Sequence, residues 1–156
     1  MEQPRIRVAA YVTRCRGADI DLLVFDHIDM PEAGTQIPAG GVRPGEELET
    51  AVLREVAEET GLLDTVVAGC LATDHRPHPG TRQSRRTTFF HLRAAPATPD
   101  SWTHRVTGGD EDEGMRFACR FERLPLAIRL ADHQDVWLGR LADAVDDNGP
   151  EQWRCR

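Results

Sequence analysis

Glu55, Glu58 and Glu59 stand at positions i, i+3 and i+4 of the segment LREVAEETGL. In an α-helix that spacing puts all three carboxylates on one face, within reach of a common point. They repel one another unless a cation lies between them. Crowded hard oxygen donors are the ligands that Mg²⁺ or Mn²⁺ takes, above all beside phosphate. Gly40, Glu46, Arg54 and Gly61 surround them at fixed offsets. An acidic helix is usually a solvated face, so E-x-x-E-E alone says little. The glycines, Glu46 and Arg54 in register reverse that balance.

Positioning these carboxylates requires a helix, and the spacing predicts one over 46–60. Pro44 and Gly45 precede it, and Glu46 and Glu47 suit the positive end of its dipole. Leu48, Val52 and Val56 form an i, i+4, i+8 apolar stripe, and Gly61 can stop the helix in a left-handed conformation. Ahead of it, residues 5–13 read as a strand, Arg16 to Asp19 as a hairpin turn, 20–25 as a second strand and 27–35 as loop. Behind it, strands are expected over 66–73, 87–95 and 115–121, with a polar loop over 74–86 and an exposed loop over 96–114. After a boundary at Leu124-Pro125, residues 133–145 read as a helix with Leu138, Leu141 and Val145 on one face. Neither an internal repeat nor an interdomain linker is visible. The reading is one domain over 1–146 and a C-terminal tail over 147–156, either disordered or pinned by Trp153. Periodicity alone gives α/β or α+β.

Gly40, Glu46, Arg54, Glu55, Val56, Glu58, Glu59, Gly61 and Leu62 fill every specified position of the pattern G-x5-E-x7-R-E-U-x-E-E-x-G-U, where U is bulky and aliphatic. The chain therefore resembles the Nudix hydrolases. The resemblance implies an α/β fold, the Nudix α/β/α sandwich with a mixed β-sheet. It also implies divalent-metal-dependent hydrolysis of a phosphoanhydride bond. Glu55, Glu58 and Glu59 would hold Mg²⁺ or Mn²⁺, with a backbone carbonyl near Ala39 and Gly40 as a further ligand. Arg54 would keep a box carboxylate in its ligating orientation, and Glu46 would steady the junction of loop and helix. The general base in this family is either a box glutamate or a carboxylate from a later loop. The later candidates are Glu111, Asp112 and Glu113, and Glu113 is favoured as an added ligand or base. The implied catalytic set is Arg54, Glu55, Glu58 and Glu113. The run 109–114 reads more readily as a solvated acidic loop than as a ligand loop.

The motif is nearly silent about substrate. The family's substrates include nucleoside triphosphates, oxidised nucleotides, nucleotide sugars, ADP-ribose, dinucleoside polyphosphates and coenzymes. The expectation is a nucleoside diphosphate linked to another moiety, a small-molecule nucleotide substrate. The competing reading is a Nudix-fold module that senses nucleotides without hydrolysis, and the complete box argues against it. Arg76, Arg82, Arg85 and Arg86, in and beside the loop 74–86, are candidates for meeting substrate phosphates. They could equally balance acidic surface nearby. His91 reads as a hydrogen-bonded core histidine, and Phe89 and Trp102 as core aromatics that could otherwise stack on a base.

The chain has 156 residues, 40% hydrophobic and 29% charged, in the ordinary globular range. All 19 basic residues are arginine, a composition suggestive of a GC-rich bacterial genome. A net charge of −7 argues against general nucleic-acid binding. No apolar run approaches the ~20 residues that span a bilayer, and the N-terminus lacks the features of a signal peptide. Membrane association is not expected, and a cytoplasmic location is. Cys15, Cys70, Cys119 and Cys155 are scattered, which suits reduced thiols. A homodimer is compatible with this size, through the N-terminal strand or the face carrying Trp137 and Leu141.

Overall fold

The computed structural model describes residues 3–108 and 112–147. The chain runs β1 (Arg5–Arg16), β2 (Asp19–His27), β3 (Ala39–Gly41), α1 (Leu48–Thr60), β4 (Val66–Asp74), β5 (Arg85–Arg93), β6 (Ser101–Arg105), β7 (Arg116–Arg123) and α2 (Leu138–Asp147). The strands form one 7-stranded sheet in the order β4-β5-β1-β2-β7-β6, with β3 paired to β1. Strand β1 is parallel to β5 and antiparallel to β2 and β3, so the sheet is mixed. No helix among the described residues is long and apolar enough to cross a membrane.

Alternation along β1 builds the core on both faces of the sheet. Val8, Ala10 and Val12 pack with Ala51, Val52 and Val56 of α1, together with Phe25, Phe90 and Phe117. Ala9 and Tyr11 point the other way and pack with Leu22, Val24, Ile37, Phe89 and Leu141 of α2. The result is the expected α/β sandwich of helix, mixed sheet and helix.

Several expectations change in detail. Helix α1 starts at Leu48 rather than Glu46, because Glu47 has extended backbone. Leu48 is 36% exposed, and the inward stripe is Ala51, Val52 and Val56. Gly61 does end the helix in the left-handed region, its amide donating to the Ala57 carbonyl at 2.9 Å. The region 96–114 is not all loop, since β6 pairs with β7 there. Its side chains alternate between exposed and half-buried, an edge-strand pattern that prolines and glycines around it obscured. The second helix begins at Leu138, five residues late. Ahead of it lies a 3₁₀ turn over Ala131–His133, in which Asp132 and His133 have positive φ and break the helical path. Strand β1 has neighbours on both edges and offers no free edge to a second copy. The tail from 148 onward, with Trp153 and Cys155, lies outside the described residues.

Candidate active site

Short strand β3 is the seam of the site. Its register with β1 places Gly40 opposite Val8, on the α1 side, and Ala39 and Gly41 opposite Ala9 and Arg7, on the α2 side. A methyl group built on Gly40 would sit 2.2 Å from the carboxyl carbon of Glu55. Glycine at that position lets the carboxylate lie directly on the strand's backbone. The neighbouring Ala39 amide donates to Glu59 at 2.8 Å. One tripeptide thus fixes two of the three box carboxylates.

Arg54 fixes the remainder. Its Nε and Nη2 donate to the two oxygens of Glu46 at 2.7 and 2.8 Å, a bidentate pair. Its Nη1 reaches Glu55 at 2.8 Å and Glu58 at 3.2 Å, and Nη2 also donates to the Gly41 carbonyl at 2.9 Å. One guanidinium therefore ties the loop, the strand and two box carboxylates together. Glu46 also accepts from the Arg43 amide at 3.0 Å. The Arg54 bonds pull its carboxyl down to about 2, against a smaller opposing effect of burial.

Glu58 is pressed from the far side by Gly108, where an added methyl would lie 2.3 Å from its carboxyl carbon. Arg43, from the loop, donates to Glu58 and to the Gly108 carbonyl, each at 3.3 Å. Edge strand β6 clamps the last turn of α1. The Trp102 indole N–H donates to the Thr60 carbonyl at 2.7 Å, and His104 Nε2 lies 3.1 Å from the Glu58 carbonyl. These contacts occupy carbonyls that a helix end otherwise leaves unpaired.

Glu55 and Glu59 are both 4% exposed. Burial, with the charge of Glu55 beside it, pushes the Glu59 carboxyl well above the ordinary carboxylate range, and the Ala39 amide only partly opposes this. A buried carboxylate raised in this way is relieved by a cation. Among the described residues, no three carboxylate, imidazole or thiolate groups are gathered into a closed metal cage. The donor set is nonetheless chemically suited to a hard divalent ion: carboxylates on one helix face, two of them buried, against strand backbone.

The other expected residues are placed unevenly. Glu113 is exposed, whereas Asp112 is half-buried and its charge bears on Glu59. Glu111 lies outside the described residues. Arg85 is buried, and both oxygens of Asp132 accept from it at 2.9 Å. It also donates to the carbonyls of Arg76 and Pro77. Its donors are engaged by the protein itself. Arg82 is exposed with positive φ in the loop, and Arg86 is exposed on the opposite face of β5 from Arg85. The four arginines do not converge. Arg76 alone shares a narrow cleft with Arg85, lined also by Arg7, Ala39, Asp74, Phe89 and Asp132. His91 is a core residue as expected, 2.8 Å from the Thr13 hydroxyl, and burial lowers it to about 3. Phe89 is buried against Tyr11.

Sequence reasoning missed Arg7, Arg43, Gly108 and the β6 clamp. Only Arg7 had a usable signal, since alternation in RIRVAAYV puts it on one face with Ala9 and Tyr11.

Comparison with known proteins bears on the fold and the family. A Listeria monocytogenes protein described as a NUDIX hydrolase superposes with a TM-score of 0.69 at 18% identity, over 94% of this chain and 97% of that one. The C. elegans Ap4A hydrolase gives 0.65 at 16% identity, over 90% and 98%. The NUDIX domain of Shewanella oneidensis NrtR, complexed with ADP ribose, gives 0.63 at 16% identity, over 92% and 89%. No curated protein sequence matches significantly. At these identities the structures show a shared fold. The family model described as NUDIX domain matches residues 3–141, which takes in both helices' core contacts and the whole carboxylate site. This chain belongs to the NUDIX domain family of hydrolases.

Proposed function

We propose that the protein hydrolyses a phosphoanhydride bond in a nucleoside diphosphate linked to another moiety, using Mg²⁺ or Mn²⁺. The observation that carries this reading is the pair Glu55 and Glu59, buried against the backbone of β3, with Glu55 and Glu58 held by Arg54. Glu55, Glu58 and Glu59 would hold the metal, with a β3 carbonyl near Ala39 or Gly40. When bound, such an ion neutralises phosphate charge and lowers the pKa of water. Arg54 keeps Glu55 and Glu58 in place and does not need to touch substrate. Glu58, the least enclosed of the three box carboxylates at 13% side-chain exposure, is assigned the proton of the attacking water. As water attacks phosphorus, the bond from phosphorus to the bridging oxygen breaks and the second phosphorylated product leaves. In the later loop, Asp112 is better placed than Glu113 to assist.

The test is turnover of ADP-ribose, a dinucleoside tetraphosphate, UDP-linked compounds and nucleoside triphosphates with Mg²⁺ or Mn²⁺, by wild type and Glu58→Gln. Hydrolysis of one class, reduced on the order of 10³-fold in the variant, is the expected result. Turnover that survives in the variant removes Glu58 from its role. Binding of metal and nucleotide with no turnover at all would favour the sensing reading.

A further inference from the structure

Glu58 is shared by two arginines, and both bonds are long. Arg54 Nη1 reaches its Oε2 at 3.2 Å and Arg43 Nη2 its Oε1 at 3.3 Å. Arg54 holds Glu46 more tightly, at 2.7 and 2.8 Å. The same Nη2 of Arg43 also donates to the Gly108 carbonyl at 3.3 Å. One nitrogen thus bridges the box helix to the turn that follows β6. That turn is seated on Glu58 in two further ways. The Thr107 amide donates to the Glu58 backbone carbonyl at 3.1 Å, and Gly108 leaves no room for a side chain over the carboxylate. The turn closes where the Gly114 amide meets the Val106 carbonyl at 2.9 Å and the Met115 amide meets the Asp112 carbonyl at 3.0 Å. The place of Asp112 therefore depends on a hairpin tied to the box through Glu58. Arg43 is the open part of this arrangement, its side chain 51% exposed against 13% for Glu58. Ion pairs open to water contribute little, so this one parts easily. Its backbone is held separately, since the Arg43 amide and carbonyl both bond to Glu46 at 3.0 Å. The guanidinium can swing away while the loop stays.

A carboxylate that becomes a metal ligand must loosen its hold on a cation already there, because the two positive charges repel. Arg54 is fixed by Glu46 and the Gly41 carbonyl and stays. Arg43 is the cation free to yield. We propose that Arg43 is a displaceable placeholder, neutralising Glu58 while the box holds no metal and leaving it when a divalent ion takes that carboxylate. In the same movement the Gly108 carbonyl loses its donor, and the hairpin carrying Asp112 loses one tie to α1. Arg43 is on this account a positioning residue that couples the metal site to the hairpin. The proposal rests on the hydrolase reading for the metal site alone. Linkage requires the coupling to run both ways, so weakening the Arg43 bridge must tighten metal binding. An arginine that merely oriented Glu58 would give the opposite sign, because loss of an orienting partner weakens metal affinity.

Titration calorimetry with Mn²⁺ and no substrate tests this on wild type, Arg43→Gln, Arg43→Lys, Glu58→Gln and Arg129→Gln. Arg43→Gln should bind Mn²⁺ about threefold tighter than wild type, the scale of an exposed ion pair. Arg43→Lys keeps the charge and should stay near wild type, as should Arg129→Gln, which pairs with Asp135 away from the box. Glu58→Gln should bind more weakly. Hydrogen exchange at the Thr107 and Gly114 amides supplies the second readout. In wild type Mn²⁺ should speed it, whereas in Arg43→Gln it should be fast already and respond little to the metal. The proposal is overturned if Arg43→Gln binds Mn²⁺ as wild type does or more weakly, or if the metal slows exchange at these amides in wild type. If Glu58→Gln weakens binding and Arg43→Gln fails to strengthen it, the metal site stands and the placeholder falls. If Arg43→Gln binds tighter while Glu58→Gln binds like wild type, the placeholder falls too, because the ion is not held by Glu58. If wild type binds no Mn²⁺, the metal site of the hydrolase reading falls and the placeholder with it.

Discussion

Two enclosed arginines lie on opposite sides of β3, and their surroundings differ in sign. Arg54 engages Glu46, Glu55, Glu58 and a carbonyl, and carboxylates still remain in excess there, with Glu59 buried beside them. Arg85 engages Asp132 and two carbonyls, Arg76 pairs with Asp74, and one guanidinium, that of Arg7, remains in excess there. Arg54 has every guanidinium N–H engaged and Arg85 all but one, so both serve the fold first. What each does is fix a scaffold around an imbalance, negative on one side and positive on the other. The imbalance identifies the site better than the number of charges does. Sequence inspection singled out the densest arginine loop, yet its most buried member is committed to the fold.

Replacing each arginine in turn is the strongest way to break the comparison. Arg54→Met removes the partner of Glu46, Glu55 and Glu58 together. It should cost roughly 2–3 kcal/mol of stability, below the full cost of breaking a deeply buried pair because the site is partly solvated. It should also cut turnover by about 100-fold, since orienting partners of ligands carry effects of that order. Arg85→Met should show first in stability, by leaving Asp132 unpaired. The measurement is a denaturant midpoint beside kcat/KM for both variants. Equal loss of catalysis in the two would erase the distinction. The Arg54–Glu46 share has a pH signature as well. Glu46 is depressed to about 2, so its contribution is present above the ordinary carboxylate range and is lost as pH falls toward 2. Arg54→Met should flatten that acid limb.

A narrower change tests whether close approach to β3 is what places Glu55. In Gly40→Ala the new methyl and the Glu55 carboxyl cannot share the space, at 2.2 Å in the unrelaxed geometry. The carboxylate must swing away. Turnover should fall by about 10- to 100-fold and Mn²⁺ should bind more weakly, while the fold survives. Wild-type Mn²⁺ affinity in Gly40→Ala would show that the strand's backbone does not set the ligand.

How much of this was legible beforehand follows from range. The α1 carboxylates were readable because a helix converts spacing into direction, and Gly61 marks its end. Strand β1 was readable through alternation. Strand β6 was not, since its residues owe their order to pairing with β7 and to the carbonyls of α1, neither encoded nearby. Asp132 and His133 halt the second helix in a left-handed conformation where propensity would continue it, and the bond from Arg85 to Asp132, far apart in sequence, holds that turn. Glu113 and Asp112 could not be told apart by composition, because only the turn decides which one is exposed and which half-buried.

The smallest expected effect sharpens the comparison most, because its sign depends on the metal. Burial and the neighbouring charge of Glu55 raise the Glu59 carboxyl well above its unfolded value. Below the unfolded pKa both states carry the proton and the group costs nothing. As pH rises, the unfolded chain releases its proton first, so folded stability declines until the raised pKa is passed. Glu59→Gln keeps an acceptor for the Ala39 amide without ionising. In metal-free buffer at neutral pH it should therefore be more stable than wild type, and the difference should vanish once pH falls below the ordinary carboxylate range. Saturating Mn²⁺ stabilises only a protein that binds it, so it should lift wild type and leave Glu59→Gln nearly unmoved, reversing the order. Thermal melts of both proteins at pH 4 and pH 7.5, with and without Mn²⁺, give the comparison directly. A variant less stable than wild type in all four conditions would mean that Glu59 is a structural acceptor for β3 and that the excess of carboxylate there lacks a cation to meet.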